Sequence, residues 1–140
     1  MRFVARAACL AVVALVGCGQ SEPVLPQSKA PHGGTVVALP DGLGNAEFVR
    51  EEVPGTPPQT KLFIYFIDSD GKPIAAAPTD ATLKLKERRT TPVSFKPTSG
   101  ADPATAGALA SAPFAINGDI AGELTATVGG KPVTVSVNVR

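Results

Sequence analysis

Few side chains in this chain can do chemistry. Its 140 residues include two cysteines (Cys9 and Cys18), one histidine (His32) and one methionine (Met1). His32 stands in the string PHGGTVVAL, Glu47 follows in NAEF, and an acidic string, DSDGK, runs from Asp68 to Lys72. An imidazole with carboxylates can hold a divalent metal. Structural zinc, however, takes four ligands, mostly cysteine and histidine, and copper(I) favours thiolate or thioether. His32 and Glu47 are therefore candidates for a weak metal site at most. The plainer reading makes His32 a polar residue where a linker meets the first strand, with Gly33-Gly34 allowing the bend. DSDGK fails as an EF-hand, because the loop's twelfth position, which should carry a bidentate glutamate, is Thr79. Asp-Gly between two strand-like runs reads instead as a turn. None of the GxSxG, P-loop, GxGxxG or HExxH patterns occurs. The expectation is a chain without catalytic residues, not an enzyme.

Cys18 ends a distinctive segment. Arg2 and Arg6 precede AACLAVVALVG, eleven uncharged residues from Ala7 to Gly17. A membrane-spanning helix needs about 20 apolar residues, whereas a shorter run after a basic start fits a secretory signal peptide. Leu15-Val16-Gly17-Cys18 resembles the lipobox of bacterial lipoproteins, an aliphatic residue, two small ones and a cysteine. The resemblance implies a thioether-linked diacylglycerol on Cys18 and cleavage just before it. Cys9 fits less well, because Arg6 occupies the position where an aliphatic residue belongs. With Cys9 removed and Cys18 capped, no pair is left for a disulfide in a compartment that would permit one. Each buried acyl methylene adds about 0.8 kcal/mol of membrane affinity, and two or more chains anchor stably. Gly19 follows the cysteine where lipoproteins kept in the inner membrane often carry Asp, so the resemblance leans towards an outer membrane, facing the periplasm.

These features divide the chain into a signal peptide (1–17), a lipidated tether (18–33) and one domain (34–140). Removing the signal from 140 residues leaves 123, and its two arginines reduce Lys+Arg from 13 to 11 against 12 acidic residues, a net charge of −1. That balance, with no basic stretch longer than Lys86 to Arg89, lacks the footprint of nucleic-acid binding. The tether GQSEPVLPQSKAPHG is polar and proline-rich. As a flexible coil it reaches roughly 20 Å, enough to hold a domain just clear of a bilayer.

Period-2 alternation then dominates. Val133, Val135, Val137 and Val139 alternate with Thr134, Ser136 and Asn138, and Leu124, Ala126 and Val128 alternate with Glu123, Thr125 and Thr127. Gly129-Gly130 between them predicts a tight hairpin. Thr35–Leu39 and Ala46–Glu51 predict a second hairpin through PDGLG. Ala81–Glu87 and Val93–Lys96 predict two further strands, and a short strand is expected near Phe114 after an Ala/Gly-rich loop from Ser99 to Ala112. The fold class is all-β: an antiparallel sandwich of about seven to nine strands, immunoglobulin-like or transthyretin-like. Lys61 to Ile67 departs from the alternation, with Leu62, Ile64 and Phe66 on one face and Phe63, Tyr65 and Ile67 on the other. It is either a central strand whose outer face is covered by the proline-rich loop Val53 to Thr60, or a half-exposed aromatic patch that docks a partner.

His32-Gly33-Gly34, Ala46-Glu47-Phe48 and Asp68 to Pro73 together resemble small exported β-rich proteins and the leading segments of some heavy-metal efflux adaptor proteins. Those carry an HGG near the mature start, an Ala-Glu strand and a strand ending in DADGKP. The resemblance covers about a third of the chain and implies a role in metal export or binding. A second histidine often precedes the Ala-Glu pair in that group, and here the position is Asn45. The expected function is a membrane-anchored, non-catalytic envelope lipoprotein, accessory to metal export or binding, with an envelope protein as partner. The alternative is a structural or protein-interaction surface module. Beyond the lipid on Cys18, the only cofactor envisaged is a weakly held divalent metal.

Overall fold

A computed structural model describes residues 30–55, 57–75, 77–86, 91–99, 106–116 and 118–140. The expected signal peptide, Cys18 and the expected tether as far as residue 29 lie outside the described residues, as do residues 87–90, where the sequence predicts a turn.

The expected antiparallel all-β fold is what the chain forms. Eight strands, β1 (Thr35–Ala38), β2 (Asn45–Val53), β3 (Gln59–Ile67), β4 (Ala81–Leu85), β5 (Val93–Pro97), β6 (Leu109–Ser111), β7 (Ile120–Val128) and β8 (Lys131–Val139), pair in the order β1-β2-β3-β6-β5-β4-β7-β8. The two layers of a sandwich are continuous through the β5–β6 pairing, so one sheet curls around the core. Its two ends, β1 and β8, approach each other without forming a ladder, and the barrel nearly closes. Right-handed twist explains the curl: an eight-stranded sheet with one strongly apolar face buries that face best by rolling onto itself.

Alternation supplies the inner face. Phe48, Leu62, Ile64, Leu83, Phe95, Ile120, Leu124, Val128, Val133 and Val139 all belong to one core and are almost wholly buried. Leu83 aligns with Leu124, and Leu124 with Val135, so apolar side chains stack across neighbouring strands. The C-terminal hairpin forms as the sequence predicts. Gly129 and Gly130 take φ of 57° and 78°, the positive values that a two-residue hairpin loop demands. The β1–β2 hairpin also forms, through a 3-10 turn at Pro40–Gly42.

Two elements differ from the sequence expectation in extent. Phe114 forms a single bridge with Thr60, their backbones exchanging both hydrogen bonds at 2.8 and 2.9 Å, rather than a strand. The strand described in that region is β6, three residues long, inside the segment that reads as an Ala/Gly-rich loop. Leu109 and Ser111 point inward, and the Ser111 hydroxyl accepts a hydrogen bond from the Leu62 N–H at 3.0 Å. That bond reinforces a β3–β6 ladder of only two paired positions. Strand β3 is the central strand of the two sequence alternatives. Phe63, Tyr65 and Ile67 are 5%, 6% and 1% exposed and form a second apolar cluster with Ala108, so they present no half-exposed patch.

Gly122 in β7 is set by close packing. A Cβ there would lie 2.7 Å from the Lys84 carbonyl oxygen and 2.9 Å from a Leu83 methyl. Gly130 has open space around it and only its φ restricts the residue type. We expect Gly122→Ala to lower stability by about 1–3 kcal/mol through overpacking. Gly130→Asn, which tolerates positive φ, should stay within about 0.5 kcal/mol of the parent. Urea denaturation of both variants checks the order, and equal losses would contradict it.

Candidate functional site

The three motifs of the sequence reading converge at one end of β2 and β3. In the β2–β3 ladder Glu47 aligns with Tyr65 and Asn45 with Ile67, which brings NAEF alongside the strand that ends at DSDGK. The segment preceding β1 folds back over this pair. Gly33 takes φ 74°, and its N–H bonds to the Ala30 carbonyl, turning the chain at Pro31-His32. Gly34 then passes so close to β2 that any Cβ would collide with the Phe48 carbonyl. That contact, more than the bend alone, explains the second glycine of HGG.

Glu47 is the anchor. Strand parity puts it on the outer face of the sheet, yet it is 0% exposed. A buried carboxylate is tolerated only when hydrogen-bonded, and three donors converge on this one. Oε1 accepts the backbone N–H groups of His32 and Gly34, each at 2.9 Å, and Oε2 lies 2.8 Å from His32 Nδ1. Because an ionised carboxylate only accepts, Nδ1 carries the proton in this pair, and in the neutral ring the lone pair is on Nε2. The imidazole stacks on the Tyr65 ring, with centroids 3.6 Å apart and planes 10° from parallel. Its side chain is 34% exposed, and among the described residues Nε2 has no hydrogen-bond partner. His32 and Glu47, paired at the sequence level only as weak metal ligands, are thus brought into direct contact. Glu47's oxygens are committed to the protein's own donors, so the ligand atom this cluster offers is His32 Nε2.

Asn45, at the position where the resembled group often has a second histidine, donates from Nδ2 to the Asp68 carbonyl at 3.3 Å. It ties β2 to the acidic turn. In that turn Asp68 Oδ1 accepts the N–H groups of Asp70 and Lys72 at 2.8 and 2.9 Å, and the bridge Ile67–Pro73 closes the reversal. DSDGK is therefore an Asx-capped turn, with Gly71 at φ 81°. Among the described residues no group of three or more histidine, cysteine, aspartate or glutamate side chains converges to hold a metal ion. The donor set amounts to one imidazole held and oriented by a carboxylate, the pairing by which proteins fix a metal-binding histidine.

Sequence reasoning missed the burial of Glu47. In NAEF it alternates as an outward residue, and its cover comes from residues 32–34, which no periodicity connects to β2. A signal was available in HGG itself: consecutive glycines before a strand mark a close backbone approach.

Deleting each partner separately should reveal the asymmetry of the clamp. Glu47→Ala strands two backbone donors and the imidazole, and should cost about 3 kcal/mol. His32→Ala removes one bond and a partly exposed ring contact, and should cost about 1 kcal/mol. Chemical denaturation of the two variants checks this, and a larger loss for His32→Ala would refute the assignment of Glu47 as the anchor. Comparison of the chain with protein-family models, with curated proteins and with solved structures finds no match in any of the three.

Proposed function

We propose that this protein is a membrane-anchored lipoprotein of the cell envelope, on the periplasmic side of an outer membrane, whose non-catalytic β-barrel domain is accessory to metal export or binding. The anchor rests on Leu15 to Cys18 and the basic-apolar run before them. The metal role rests on one observation: the chain's only histidine is held by a buried glutamate through Nδ1, which leaves Nε2 directed away from its clamp as a coordinating atom. A single imidazole does not complete a coordination sphere. In this reading His32 contributes one ligand, and an envelope partner or the metal's own waters contribute the rest. The domain then presents or receives a metal rather than storing it.

A second reading is favoured by the same carboxylate. Glu47 satisfies two backbone N–H groups as well as the ring, which is what a purely structural clamp does. The domain would then be a structural or protein-interaction module on the cell surface.

Calorimetric titration of the full chain in detergent with zinc, copper(II) and cobalt(II) separates the two. The metal role requires submillimolar binding that disappears in His32→Ala and weakens about 10-fold or more in Glu47→Gln, as loss of a ligand's orienting partner does. Binding confined to millimolar metal, or unaffected by His32→Ala, overturns it, and a protein recovered on the domain by crosslinking in intact cells would then support the interaction module.

A further inference from the structure

The clearest unassigned feature is a notch at the mouth of the barrel, where β1 begins and β8 ends. Strand β1 pairs with β2 only as far as Thr35 opposite Phe48, so β2 continues beyond it uncovered towards Arg50. A cavity of about 230 Å³ opens there, lined by Gly33, Gly34 and Thr35 with Phe48 to Arg50, and closed by Val139 and Arg140. Two arginines, Arg50 and Arg140, and Thr35 are among the residues that line it, and no aspartate or glutamate is.

Arg50 has the inward parity of Ala46 and Phe48, so β2's core face ends in a cation at the barrel rim. Its Nη1 donates to the Gly118 carbonyl at 3.0 Å. Its Nε is buried and, among the described residues, has no hydrogen-bond partner. A guanidinium has five N–H donors in a rigid fork, and one is accounted for among the described residues. Neither Arg50 nor Arg140 forms an ion pair with a described carboxylate. A pinned arginine with unmet donors, a second arginine and a threonine, around a cavity lined by no aspartate or glutamate, make up the chemistry that recognises a tetrahedral oxyanion. The chain as a whole, at −1 after signal removal, has no general attraction for anions, so the preference would be local to the notch.

We propose that this notch is a phosphate-binding site whose occupant is the phosphate of an anionic lipid headgroup. Location argues for the headgroup. The notch adjoins Gly33-Gly34, where the chain arrives from the tether, and a tether of roughly 20 Å keeps that mouth within reach of a bilayer surface. The choice of headgroup rests on the lipid-anchored reading above; the phosphate chemistry does not. Arg50 and Arg140 would then dock the barrel mouth-down and give the tethered domain a fixed orientation.

The test is a titration of isotope-labelled full chain in uncharged detergent, following the arginine side-chain N–H resonances. Inorganic phosphate forms one arm and dihexanoyl phosphatidylglycerol the other. Saturable shifts at Arg50 and Arg140, reduced at least 10-fold in affinity in Arg50→Gln and again in Arg140→Gln, are expected. Arg50→Lys should also bind more weakly, since it keeps the charge and loses the fork. Because Arg140 is exposed, its variant keeps the test decisive if Arg50→Gln unfolds. Tighter binding of the lipid than of phosphate establishes the headgroup; equal or weaker lipid binding replaces it with free phosphate. No shift with either, or shifts unchanged in Arg140→Gln, overturns the site. Mass spectrometry of Cys18 from cells reads the anchor separately, so the two failures are distinguishable.

Discussion

A fully buried carboxylate that the sheet has no donors for is the constraint on which this structure turns. Glu47 lies on the outward face of β2, where solvent would normally satisfy it, and is sealed instead. Removing a carboxylate from water is unfavourable unless hydrogen bonds replace the lost hydration. The donors come from a separate piece of chain, His32 and Gly34, which must therefore sit across β2 in one conformation. From that follow the bend at Gly33, the side-chain-free approach of Gly34, the stacking of the imidazole on Tyr65 and the place where β1 begins. Glu47 both demands this arrangement and, by accepting its donors, supports it.

The barrel's geometry follows from a different balance. β7 and β8 pair over nine residues and β2 and β3 over nine, whereas β3–β6, β4–β5 and β5–β6 pair over two or three. Two long hairpins thus supply most of the ladder, and short central strands join them. At the joint, Ser111 inside the core lends its hydroxyl to the Leu62 N–H, a side-chain bond where the backbone ladder is shortest. Leu109 contributes the apolar contact on the same face.

Much of this was legible from residue order because alternation needs only local sequence. Val133 to Val139 against Leu124 to Val128 specified both strands and, with two glycines between them, their turn. The double apolar face of β3 left a central strand and a half-exposed docking patch both open, because residue order alone does not say what packs over the outer face. Strand β6 was illegible for a physical reason: three residues cannot display a period, and Leu-Ala-Ser sits among alanines and glycines that read as loop. The candidate site was half legible. His32, Glu47 and the Asp68 turn could be picked out by type, but the contact that makes His32 and Glu47 a unit depends on how the chain before β1 folds back, and Arg50 gave no hint that it would close the barrel's rim.

The unsealed seam between β1 and β8 has a further consequence. β1 is four residues long, joined to the sheet along one side only, and its approach is fixed by the Glu47 clamp. Of all the strands it has the least to hold it. Should it detach, nine residues of β2 would offer bare amides and carbonyls to any neighbour, beside a β8 whose own free border is guarded only near its start by Lys131 and Pro132. Local fraying at the amino-terminal side would thus be the route by which neighbouring copies begin to share strands, and the histidine–glutamate contact is the latch that keeps each barrel to itself.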